Sequence, residues 1–225
     1  MTNVIAVASS KGGVGKTTTS FSLAAAASSW GSVMVIDLDP SISLTTQMKL
    51  PITGATIEDV VTGKCALEDA LVATQEGLLA VPGSREMYRY QVTQEQLTDI
   101  FGAALGEVDH IILDTRPALE ALAGPMQFAT KVVIPTYLDG VSMPVTADTI
   151  HLAFEIGIAG KVAGVLATNV RRPLTRLARD LYESLQAWVW SAWSGTPCSG
   201  RPPWPRGGSP VSPTSSRQPT TCSGR

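Results

Sequence analysis

Short apolar runs alternate with longer amphipathic or alanine-rich stretches from residue 4 to about residue 185. Residues 4–8, 32–37, 78–83, 108–114, 131–136 and 162–169 are brief, rich in Val, Ile, Leu and Ala, and closed by turn formers or polar residues. Such runs read as strands buried on both faces, as in a parallel sheet. Prolines at 40, 82 and 135 mark strand stops, since proline cannot donate to a sheet ladder. Between them, residues 19–29, 56–61, 66–73, 93–105, 145–158 and 173–186 carry helical patterns. The stretch from Thr93 begins with a capping-box pair, Thr93 and Gln96. Strand and helix in regular alternation predict an α/β fold: a mostly parallel sheet with helices on both faces.

The turn after the first apolar run is Ser9-Ser10-Lys11-Gly12-Gly13-Val14-Gly15-Lys16-Thr17-Thr18. Strand, glycine-rich turn and helix, with Gly-Lys-Thr at the junction, are the context of a phosphate-binding P-loop. Glycines let backbone N–H groups approach phosphate oxygens, and the helix N-terminus adds unpaired donors and a positive dipole end. Lys16 then reaches the β- and γ-phosphates and the Thr17 hydroxyl ligates Mg2+. The second predicted strand ends in Asp37-Leu38-Asp39-Pro40, and the fourth runs through three apolar residues into Asp114. Carboxylates at the C-terminal ends of parallel strands lie where α/β folds bind ligands, and Asp114 reads as the Walker B acid near Mg2+. His110, beside that strand, has no partner for chemistry in the sequence and reads as structural. Tyr88 and Arg89 read as ordinary surface, and Arg116 faces either the nucleotide or a partner.

Composition narrows the function. The net charge of −2 conceals an asymmetry: residues 1–185 carry 13 of the 17 Lys and Arg against all 19 Asp and Glu. Nucleic-acid contact therefore needs a local patch, and Arg171, Arg172, Arg176 and Arg179 are the densest one. On a helix, Arg172, Arg176 and Arg179 share a face suited to DNA phosphates, with Asp180 and Glu183 close by. Three cysteines without C-x-x-C spacing indicate neither zinc nor a disulfide framework. No charged leader precedes an apolar segment and no run approaches membrane-spanning length, so a cytoplasmic, soluble protein is expected.

The Lys-Gly-Gly-Val-Gly-Lys-Thr-Thr string, the Asp-x-Asp-Pro strand end and the Asp-Thr strand end together resemble the ParA/MinD superfamily of deviant Walker A P-loop ATPases. The similarity covers residues 1 to about 185 and is nearest to small ParA-type partition ATPases. It implies a P-loop NTPase fold and ATP bound by Lys11, Gly12, Gly13, Val14, Gly15, Lys16, Thr17 and Thr18. It also implies a homodimer in which Lys11 contacts nucleotide phosphates across the interface. Asp39 would position the attacking water, making Lys11, Lys16 and Asp39 the catalytic set, with Thr17, Asp37 and Asp114 around Mg2+. Asn169, at the sixth strand end, would read the adenine edge, and the absence of an Asn-Lys-x-Asp string favours ATP over GTP. Non-specific DNA and a ParB-type centromere-binding protein are the implied partners, with association to the nucleoid and not to a membrane. Two stretches depart from the family pattern: Ser41-Ile42-Ser43 stands for Gln-Gly-Asn, and Arg116 for the first proline of Asp-Thr-Pro-Pro. A MinD-like regulator, another ATPase of the superfamily, or an inactive remnant are the alternatives.

From residue 186 the composition changes. The last 40 residues hold four of five Trp, seven of 15 Pro and no Lys, Asp or Glu. The expectation is an ATPase domain over 1–185 and a disordered tail over 186–225. A reading-frame change near codon 186 accounts for the shift, and so does an interaction tail anchored by Trp188, Trp190 and Trp193.

Overall fold

The computed structural model describes residues 1–170 and 173–193, the side chains of 186–193 excepted. In chain order the elements are β1 (Asn3–Val7), α1 (Lys16–Ala27), β2 (Val33–Asp37), α2 (Ser43–Gln47), α3 (Ile57–Val61), α4 (Leu67–Ala70), β3 (Val72–Ala73), β4 (Leu79–Val81), α5 (Gln94–Phe101), β5 (His110–Asp114), α6 (Ala123–Phe128), β6 (Lys131–Thr136), α7 (Ser142–Glu155), β7 (Val162–Ala167) and α8 (Arg176–Trp193). Three 3-10 turns, Arg85–Arg89, Leu119–Ala121 and Ala159–Lys161, complete the list.

The strands form one sheet in the order β3-β4-β2-β5-β1-β6-β7. All neighbours are parallel except β3, which pairs antiparallel with β4. Alternate residues of each strand feed cores on opposite faces. Val4, Ala6, Met34, Ile36, Ile111 and Leu113 pack with Leu97 and Phe101 of α5, Leu122 just before α6, Met126 of α6 and Ile150 of α7. Val7, Val33, Val35 and Ile112 meet Ala24 of α1 and Leu44 of α2 on the other. Since β1 and β5 are parallel neighbours in register from Asn3↔His110 to Val7↔Asp114, the P-loop and the Asp114 carboxylate emerge at one edge.

The six predicted strands are all present, and β6 has the predicted bounds. The predicted helix over 66–73 is corrected: α4 stops at Ala70, Leu71 is extended, and Val72–Ala73 form β3 against Leu79 and Ala80. A β-branched residue against an open sheet edge outweighs the helical pattern there. α2 and α6 escaped the pattern, one for its five residues and the other because Gly124 and Pro125 mask its periodicity. Proline in a first turn loses no intrahelical bond. The last helix begins at Arg176 and continues to Trp193, through the expected boundary at 186. The expected disorder of 194–225 lies outside the described residues.

Candidate functional site

The P-loop is shaped by conformation and by anchors from three other elements. Gly13 and Gly15 take positive φ, +75° and +88°, which L side chains rarely adopt. The loop's carbonyls are held from outside. The Tyr137 hydroxyl donates to the Gly13 carbonyl. The Thr168 hydroxyl, just past β7, donates to the Val14 carbonyl at 2.7 Å. Ser10 N–H donates to Thr149 Oγ1 of α7 at 3.2 Å. The backbone N–H groups of Gly12, Gly13, Val14 and Gly15 make no hydrogen bond within the described residues. Val14 is fully buried, so its N–H is a desolvated donor awaiting an acceptor. Lys16 Nζ, buried beside them, rests on the Lys11 carbonyl at 3.2 Å. Burial lowers the pKa of Lys16, against the opposing pull of Asp39 and Asp114. Unpaired donors and a buried cation fit an anion with several acceptor oxygens. Lys11 is half-buried at the rim, and Gly12, Gly13 and Thr18 are exposed.

Three carboxylates face this cradle. Asp114 is fully buried; Oδ2 accepts the Thr17 hydroxyl at 2.8 Å and Oδ1 accepts the Ser20 hydroxyl at 2.9 Å. Burial, then the Asp37 charge beside it, pushes its pKa up to about 7. Asp37 is the register partner of Asp114 across β2 and β5. Its Oδ2 accepts Thr45 N–H and hydroxyl at 2.8 and 2.7 Å, and its Oδ1 accepts Asp39 N–H at 3.1 Å. Burial again raises its pKa, to about 6. The Thr45 oxygen also accepts Gly83 N–H at 2.7 Å, and a Cβ on Gly83 would lie 2.9 Å from the Asp37 carboxylate. Asp39 is 6% exposed, and its Oδ1 accepts Ser41 N–H at 2.9 Å. Crowded acids and a Thr hydroxyl are hard oxygen donors, the chemistry Mg2+ takes. Among the described residues no group of three or more His, Cys, Asp or Glu forms a metal cage. An ion held partly by a nucleotide's phosphates requires none.

The remaining expectations separate. Asn169 follows Thr168 at the same sheet edge, exposed and left-handed at φ 50°, a conformation Asn tolerates. Arg176 and Arg179 are exposed on the first turn of α8, whereas Arg171 and Arg172 lie outside the described residues. His110 sits at the far end of β5 from Asp114. Arg116 turns from the cradle to the carbonyls of Met87, Tyr88 and Tyr90. Sequence reasoning passed over Ser20, Thr45, Gly83, Tyr137 and Thr168. Only Ser20 carried a signal, one helical turn from Thr17.

Comparison with known proteins follows the same line. Residues 2–152, more than half the chain, match a family model described as an AAA domain. A septum site-determining protein MinD of Synechocystis is 30% identical over 183 residues, 77% of this chain and 66% of that protein. A chromosome partitioning protein ParA of Caulobacter vibrioides is 32% identical over 146 residues, 59% of this chain and 55% of that protein. This chain belongs to the ParA/MinD superfamily. An uncharacterized ATP-binding protein of Methanocaldococcus jannaschii is 28% identical to this superfamily member over 81% of the chain and 70% of its own length. Among solved structures, cobyrinic acid a,c-diamide synthase of Mycobacterium smegmatis with bound ADP and magnesium has a TM-score of 0.73 at 25% identity. The match covers 83% of this chain and 82% of that one. A plasmid partition protein of Borrelia burgdorferi has a TM-score of 0.74 at 20% identity, over 83% and 87% of the two chains, and shows the shared fold. Among the described residues no helix is long and apolar enough to cross a membrane.

Proposed function

We propose that this superfamily member is a ParA-type ATPase for DNA partitioning. It binds ATP with Mg2+, pairs as a nucleotide-bound homodimer and associates with DNA without sequence preference. Hydrolysis to ADP and phosphate, slow alone and stimulated by a ParB-type partner, resets it. The observation that carries the reading is the set of unpaired N–H groups over Gly12–Gly15 beside a buried Lys16, facing Asp39 and Asp114. The ammonium of Lys16 exchanges the Lys11 carbonyl for phosphate oxygens, and half-buried Lys11 is placed at the rim to reach a second copy's nucleotide. Thr17, with Asp114 and Asp37 behind it, would hold Mg2+, which neutralises charge on the β- and γ-phosphates. Asp39, buried but with one carboxylate oxygen uncommitted, orients the attacking water. Asn169 contacts the adenine edge, and Arg172, Arg176 and Arg179 contact DNA phosphates.

DNA binding at low salt, with ATP, with ADP and without nucleotide, tests this. Binding is expected with ATP alone. Lys16→Ala removes charge-assisted bonds of about 1.5–3 kcal/mol each and weakens nucleotide binding by about tenfold to a hundredfold. Nucleotide binding with no DNA association under any condition would refute the partition role. The MinD relative favours a second reading, a positioning regulator at a lipid surface. ATP-dependent binding to anionic vesicles instead of DNA would select it.

A further inference from the structure

Arg116 stands two residues beyond Asp114, where the superfamily pattern has proline. Its side chain is 14% exposed. Nη1 donates to the carbonyls of Met87, Tyr88 and Tyr90 at 3.3, 3.1 and 3.3 Å, and Nη2 lies 3.4 Å from Glu120 Oε1. Those carbonyls close the C-terminal end of the 3-10 turn Arg85–Arg89, where partial negative charge gathers. A guanidinium is suited to the place, being permanently charged and presenting several donors in one plane. Proline at this position makes none of these bonds.

Both ends of the connection are anchored. Thr115, between Asp114 and Arg116, donates its hydroxyl to the Val7 carbonyl of β1 at 2.9 Å. Asp114 itself is held by Thr17 and Ser20 of the P-loop helix. On the far side Met87 is buried, while Tyr88 and Arg89 are exposed and locked together. Arg89 Nε donates to the Tyr88 hydroxyl at 2.8 Å, and the guanidinium lies 5.3 Å from the ring centroid. Hydrogen bonds tie the P-loop helix to Asp114 and tie Arg116 to the carbonyls beside an exposed aromatic–cationic pair, and the backbone of residues 114–116 joins the two sets.

We propose that Arg116 is a positioning residue that couples the P-loop to the 85–89 turn, so that the occupant of the phosphate cradle sets the order of the Tyr88–Arg89 surface. The coupling rests on the cradle being a nucleotide site. Transmission requires an element whose state both ends bias. Hydrogen exchange on the full chain supplies the demonstration. It is read at residues 11–18, 85–90 and 114–118 without nucleotide, with ADP and Mg2+, and with a non-hydrolysable ATP analogue and Mg2+. In the unaltered protein nucleotide slows exchange in all three segments. In Arg116→Ala it slows 11–18 and 114–118 but leaves 85–90 unchanged, with nucleotide affinity altered by less than about twofold. Arg116→Lys, a point charge without the planar fork, gives an intermediate response at 85–90. If Arg116→Ala does not fold, an undiminished response in Arg116→Lys overturns the proposal. Protection at 11–18 with 85–90 unmoved in the unaltered protein, or moving equally in Arg116→Ala, overturns the coupling alone. No protection at 11–18 overturns the nucleotide reading and the coupling together.

Discussion

Ile42 carries a backbone cost at the edge of the site. It sits at φ 50°, ψ 33°, directly after the Asp39-Pro40-Ser41 turn and before α2. The left-handed region costs an L residue about 1–2 kcal/mol, and a β-branched side chain is rare there. The superfamily pattern places glycine at this position. Ile42→Gly is therefore expected to stabilise the protein by about 0.5–1 kcal/mol, the relief being partly offset by the looser unfolded chain. Urea denaturation should show a higher midpoint with an unchanged slope; a lower midpoint would mean that the Ile42 side chain's packing outweighs the strain. The departure from Gln-Gly-Asn was visible in the sequence, but its physical meaning required the dihedral. Lys16, Thr17, Asp37 and Asp114 were legible because their spacing to glycine or to a strand end is local. Thr45, Tyr137 and Thr168 were not. They reach the site across 8, 124 and 154 positions, and an isolated Thr or Tyr carries no mark of its partner.

At the level of elements, short apolar runs and the 3.6-residue pattern located every long strand and helix, and local capping refined one of them. Thr93 accepts Gln96 N–H at 3.2 Å, and Gln96 accepts Thr93 N–H at 3.0 Å, the reciprocal pair expected from the sequence. Thr93→Ala removes one half of that box and is expected to cost about 1 kcal/mol. In a domain of this size that lowers the melting temperature by about 2–4 °C, measurable by calorimetry. A fall within error would show the cap to be replaced by solvent. Short elements were harder to read. β3 is two residues long and exists because β4 offers an edge, and a partner 6–8 positions downstream is not encoded in the local alternation. The turn Arg85–Arg89 likewise owes part of its order to Arg116, 26–29 positions away.

For the whole molecule, charge and strand order matter more than any one contact. Residues 1–185 are acidic in balance, so the proposed DNA association through Arg172, Arg176 and Arg179 must be short-ranged and sensitive to salt. If three arginines per protomer, Arg172, Arg176 and Arg179, meet phosphates in a dimer, about six counterions are released. Affinity should then fall by about 10³-fold between about 50 and 200 mM salt. A slope near zero, measured by titration on duplexes of unrelated sequence, would remove these arginines from the DNA interface. The sheet order has a consequence for how the protein is made. β1, made before the other six strands of the sheet, lies between β5 and β6, whose residues are synthesised more than 100 positions later. A nascent chain therefore carries its glycine-rich loop through more than 100 further positions without the neighbours that shape it. Thr168, which clasps the Val14 carbonyl, is among the last of them to appear. Ligand capture should switch on abruptly once Thr168 has been made, and slow closure of such distant pairings leaves the early strands dependent on protection until then.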